Sequence, residues 1–100
     1  MDYVPRLYEI MREPAAYRGV YVVWRGKIAN LDRGKESHSF DLLVNYENEE
    51  TIEGIAHVAL QGTYHLETGR NVEVFGTLTG VDQQRGVPQV RGILLKDLRL

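Results

Sequence analysis

Two alternating stretches, each carrying a glycine where strands usually avoid one, constrain this chain more than any other feature. In Val20–Ile28 the side chains of Val22, Trp24 and Ile28 share one face with Gly26, and Tyr21, Val23, Arg25 and Lys27 take the other. That period of two is the mark of a strand. Val72, Val74, Gly76 and Leu78 repeat the arrangement later in the chain. A glycine inside a strand weakens it unless the backbone must bend sharply or come close to a neighbour. Two such strands predict a small, strongly coiled barrel, with Trp24 in its core and Gly26 and Gly76 at the bends.

The remaining segments supply the other elements. Val4, Leu7, Tyr8 and Met11 recur at helical spacing, and Pro14 disfavours helix at the residue before it, so a short amphipathic helix is expected from about Tyr3 to Arg12. The first strand runs from Val20 to Ile28, and Leu31–Ser37, containing Asp32-Arg33-Gly34-Lys35, has loop chemistry. His38–Tyr46 is the second strand, Glu47-Asn48-Glu49-Glu50 a hairpin tip, and Thr51–Leu60 the third strand. Register follows from burial: an even loop would turn Glu53 and His57 into the core, at several kcal/mol each unless paired. The odd register instead sets Ile52, Gly54, Ala56 and Val58 opposite Tyr46, Val44, Leu42 and Phe40. It also points Leu43 and Ile55 outward side by side and brings Asp41 near His57. Gln61–Arg70 breaks the alternation with room for a helical turn, and Asn71–Thr79 forms the fourth strand. After the polar loop Asp82–Gly86 comes a fifth strand opening at Pro88. Val90, Ile93 and Leu95 cannot share its inner face under strict alternation, which predicts a bulge near Gly92.

A helix followed by five strands, with a longer connection between the third and fourth, is the order of an all-β oligonucleotide/oligosaccharide-binding (OB) barrel. An SH3-like barrel is the rival architecture. One hundred residues suit one such domain, with residues 1–14 as the helical part and 20–100 as the barrel.

Tyr17-Arg18-Gly19 with Val22-Val23-Trp24-Arg25-Gly26-Lys27-Ile28, then Gly69–Leu78 and Leu94–Leu100, resembles the tRNA-anticodon-like OB families of bacteria. The likeness covers roughly residues 15–100 and consists of barrel-forming positions, so it implies the fold. Glu13–Gly19 with Trp24 and Gly26 is also similar to the opening of Slp-type outer-membrane lipoproteins, but the chain has no lipobox cysteine.

Composition narrows the function. Twelve basic and fourteen acidic side chains give a net charge of −2, which weighs against strong sequence-blind binding of a polyanion. The chain has no cysteine, and His38, His57 and His65 are too dispersed for a zinc motif, so no metal or cofactor is expected. Nothing approaches the length of an apolar membrane span. Met1-Asp2-Tyr3-Val4-Pro5 lacks the basic and apolar regions of a signal peptide, so the chain as written reads as cytoplasmic, and an exported or lipoprotein setting would require a removed leader.

The resulting expectation is a binding module without catalysis. Single-stranded nucleic acid would be held by Tyr21, Arg25, Lys27, Arg33, Lys35 and Arg85, drawn from the outer side of the first strand and from the loops. The outer face of strands two and three offers no aromatic platform. The alternative is a protein partner or a second copy of the chain, met by an apolar patch of Leu43, Ile55 and Phe75. Asp41 and His57 form a surface ion pair in this reading, worth at most about 1 kcal/mol. No nucleophile accompanies them.

Overall fold

Valines, leucines and one tryptophan alternate inward along five strands and close them into a single barrel. The computed structural model describes residues 6–46, 53–62 and 64–98. A short helix α1 (Leu7–Arg12) and a single 3-10 turn (Pro14–Tyr17) precede β1 (Tyr21–Arg33), β2 (Ser37–Val44), β3 (Gly54–Gln61), β4 (Asn71–Asp82) and β5 (Val87–Asp97). The closed order is β1-β2-β3-β5-β4, with β3 and β5 parallel and every other pair antiparallel. This is an OB barrel.

The two glycines stand where neighbouring backbone comes closest. Gly26 is paired on both sides at once, with Val44 on β2 and Val72 on β4. A Cβ added there would run into the carbonyl oxygen of Leu43. At Gly76 it would lie 2.5 Å from the Arg91 carbonyl oxygen and 2.8 Å from Val90 Cγ1. Trp24, two residues before Gly26 on the same face of β1, is buried, as its parity requires.

Register follows the odd-loop argument. Val44 faces Gly54, Leu42 faces Ala56 and Phe40 faces Val58, while Leu43 lies beside Ile55 and Asp41 beside His57 on the outer surface. The acidic hairpin tip and the first residues assigned to the third strand lie outside the described residues. The bulge near Gly92 is present: Phe75 pairs with Leu94 but Gly76 with Gly92, which leaves Ile93 as the extra residue. Val90 and Leu95 are thereby both able to face inward.

Three expectations need correction. The strand predicted to end at Ile28 continues to Arg33, because β2 goes on pairing with it as far as Arg33 opposite His38. A register shift between Ala29 and Asp32 absorbs the polar residues there. In α1 the buried residues are Leu7 and Ile10, whereas Tyr8 and Met11 are exposed; Val4 lies outside the described residues. So short a helix takes its rotation from its contact with the barrel. Leu7 sits over Gly54, where a Cβ would collide with the leucine side chain.

The third correction concerns the connection after β3, whose described residues carry a turn at 68–69 and no helix. Three hydrogen bonds hold it to β1 instead: Arg70 O accepts from Ile28 N–H at 3.0 Å, Gly69 N–H donates to Ile28 O at 2.8 Å, and Arg33 Nη2 donates to Leu66 O at 2.7 Å. They drive Leu66 into the core, where it is buried. Leu66→Ala is expected to cost about 2–4 kcal/mol, as for other buried leucines cut back to alanine. Urea unfolding should show a lower midpoint with an unchanged slope.

Candidate functional site

Across the outer surface Ala29, Asp41, His57 and Gln89 stand in one row on β1, β2, β3 and β5. Asp41 should be solvated there, yet it is only 3% exposed. Side chains from three other segments cover it. Arg85 donates from Nη1 to Oδ1 at 3.0 Å and from Nη2 to Oδ2 at 2.9 Å. Asn30 Nδ2 donates to Oδ2 at 2.8 Å, and His57 Nδ1 lies 3.1 Å from Oδ1. An ionised carboxylate only accepts, so His57 Nδ1 carries the hydrogen.

Local backbone chemistry delivers each partner. By strand parity Asn30 would follow Ile28 inward. At the irregularity in β1 it adopts φ 51°, a left-handed conformation that asparagine tolerates, and its amide reaches Asp41 instead. Arg85 belongs to the tight connection between β4 and β5. Asp82 Oδ1 accepts from the Gln84 and Arg85 N–H groups at 2.9 and 3.4 Å, and Gly86 completes the turn at φ 68°. That turn aims Arg85 back across the sheet.

Burial by itself would raise the Asp41 pKa. The hydrogen bonds from Arg85, Asn30 and His57 outweigh it and hold the carboxyl at about 2. The Arg85 pKa is raised in return, chiefly by its hydrogen bonds to Asp41. The surface ion pair expected between Asp41 and His57 is therefore one edge of a four-residue network in which Asp41 is buried beneath its partners. Arg85 Nη2 and Nη1 supply its strongest contacts, charge-assisted and two-pronged.

The six cationic and aromatic candidates do not form one site. Lys35 lies in the exposed β1–β2 turn and Arg85 on the β4–β5 loop, so these two flank the β2–β3 face. Arg33 turns toward Leu66. Arg25 is bound to Glu73 at 2.7 Å, and Lys27 Nζ sits 4.8 Å from the centre of the Tyr46 ring. Tyr21 is half-buried at the start of β1, opposite Thr77.

The apolar candidates also divide. Leu43 and Ile55 adjoin on β2 and β3, while Phe75 lies on β4 between Val23 and Leu94. Sequence reasoning did not assign Asn30, Ile93 or Leu94 to any surface role. The bulge was the available signal for the last two, since an extra residue in one strand sets neighbouring side chains on the same side. Among the described residues no group of three or more His, Asp or Glu side chains is placed to hold a metal ion.

Comparison with known proteins agrees with this architecture. No curated protein matches the chain. Among solved structures, a chain from "Structure and Conformational Change of a Replication Protein A Heterotrimer Bound to ssDNA" superposes with a TM-score of 0.60 at 12% identity. The alignment covers 82% of this chain and 59% of that one, so the present chain spans well under two thirds of its neighbour's length. At that identity the likeness shows a shared fold. A family model described as the Spirochaete C-terminal OB fold matches residues 3–94. It supports the OB barrel, and it does not carry the narrower likeness to tRNA-anticodon-like or Slp-type families. With nearly its whole length inside that match and the barrel order to go with it, the chain belongs to the Spirochaete C-terminal OB-fold family.

Proposed function

We propose that this domain is a non-catalytic binding module that takes a short stretch of single-stranded nucleic acid, weakly, across the β2–β3 face between the β1–β2 and β4–β5 loops. One observation carries the reading: the Arg85 guanidinium reaches from the β4–β5 loop to buried Asp41 on β2 and is held there by two hydrogen bonds, yet its side chain stays 44% exposed. A guanidinium whose plane is fixed by a two-pronged bond offers a base the planar surface that the face otherwise lacks. Lys35, exposed at the other loop and without an ion pair among the described residues, supplies a phosphate contact. The neighbour of the same fold in a complex with ssDNA supports the choice of ligand class. Weak binding follows from the net charge of −2 and from cations already spent on Glu73 and Asp97.

Fluorescence anisotropy with a short labelled oligo-dT is the test. Affinity should fall as salt rises, with a shallow slope of about −0.7 per phosphate neutralised. Arg85→Lys keeps a cation for Asp41 but loses the plane, and should weaken binding about tenfold, within the range of one lost stacking contact. Absence of binding at low salt, or an unaltered affinity in Arg85→Lys, would sink the reading.

A further inference from the structure

The outer wall on the β1–β4–β5 side carries a surface unrelated to the Asp41 network. Val23, Phe75 and Leu94 lie side by side on three adjacent strands. The bulge adds Ile93 next to Leu94, and these two are 56% and 52% exposed, more than any other large aliphatic side chain among the described residues. Surface hydrophobes scattered singly need no explanation, but four in one strip do. The bulge is what assembles them, since strict alternation would have sent Ile93 and Leu94 to opposite faces.

The flanks of the strip set the partner's charge. Arg91 lies in the row on one side, opposite Thr77, and Lys96 in the row on the other, opposite Glu73. Arg25 neutralises Glu73 at 2.7 Å. Arg91 and Lys96 are exposed and have no ion pair among the described residues, so the strip carries a positive excess on a chain that is acidic overall. An apolar centre with a charged rim is the build of a protein interface. A polyanion would meet the cations but leave Ile93 and Leu94 unburied, because aliphatic side chains offer no π face for a base. A second copy related by a two-fold axis would set this rim against itself, cation against cation.

We propose that this strip docks a partner protein segment that is apolar at its centre and acidic at its flanks. The probe is a short fluorescein-labelled peptide alternating leucine and phenylalanine with glutamate, compared with its lysine-for-glutamate counterpart. The glutamate peptide should bind at least about tenfold more tightly, a difference of roughly 1.4 kcal/mol. Leu94→Ser should abolish that binding, and Arg91→Glu with Lys96→Glu should invert the preference. Both variants change exposed side chains, and an unaltered melting temperature confirms that they fold. Equal affinity for the two peptides, or binding indifferent to Leu94→Ser, overturns the proposal. So does a concentration-dependent dimer dissolved by Leu94→Ser, which would assign the strip to a second copy. Oligo-dT binding lost in Leu94→Ser would assign it to nucleic acid and overturn the proposal as well. Arg85→Lys leaves this surface untouched, so failure here and failure of the β2–β3 reading are separately visible.

Discussion

Gly26→Ala should lower the unfolding free energy by about 3 kcal/mol, the upper end of what forcing a methyl group into filled space usually costs. In a domain of this size that corresponds to a fall in melting temperature of roughly 12–24 °C. The new Cβ would meet the Leu43 carbonyl oxygen, and β1 is held to both neighbours at that residue, so it cannot retreat from one without losing the other. The sign is the informative part. In an ordinary extended position, replacing glycine by alanine stabilises by about 0.4–1 kcal/mol through the unfolded chain. Thermal unfolding by circular dichroism decides it. A variant as stable as the parent would mean that the barrel does not depend on this close approach.

Asp41→Ala should cost about 2–4 kcal/mol, because it removes the acceptor shared by Arg85, Asn30 and His57 and frees the β4–β5 loop. The pH dependence gives a sharper form of the same expectation. The Asp41 carboxyl is held at about 2 in the folded protein against an ordinary 3.8. A depressed carboxyl stabilises the fold while ionised. The gain, about 2 kcal/mol, is complete above the unfolded value and fades as pH falls from about 4 toward 2. Asp41→Asn should lose that part of the acid dependence, so the difference between parent and variant shrinks across this window. A constant difference from pH 6 to pH 2 would show that the carboxylate charge contributes nothing. Amide exchange at Gln84 and Arg85 should also quicken in Asp41→Asn if the ion pair is what holds the loop.

Much of the barrel was legible in the chain. Alternation assigned Val22, Trp24, Ile28, Phe40, Leu42, Val72, Val74 and Leu78 to the interior, and all are buried. The cost of burying Glu53 and His57 was enough to choose the β2–β3 register. Parity at Val90, Ile93 and Leu95 was enough to require a bulge. These inferences share one property: each depends on which side of a strand a residue takes, and period two makes that a local matter.

The candidate sites were much less legible. Asp41 was read as a surface residue because its parity is outward, which is correct, but exposure is set by what lies over the strand. Arg85 is distant from Asp41 in the chain, and nothing near either residue announces the other. Arg25, Lys27 and Arg33 looked like available cations, but Glu73, the Tyr46 ring and the Leu66 carbonyl each claim one of them. The helix showed the same limit, since spacing suggested a face containing Tyr8 and Met11 and contact with Gly54 selected Leu7 and Ile10.

By itself, the sequence determined the number and order of the strands, their inward faces, the β2–β3 register, the bulge and the need for glycine at 26 and 76, all properties of backbone period and side-chain size, while pairing with neighbours set how far β1 and β4 run. Only the tertiary structure decided which outward charges are free, that Asp41 is buried under Arg85, and that Val23, Phe75, Ile93 and Leu94 form one strip. The physical reason is that burial, ion pairing and patch formation depend on distances between segments far apart in the chain, and barrel closure alone sets those distances.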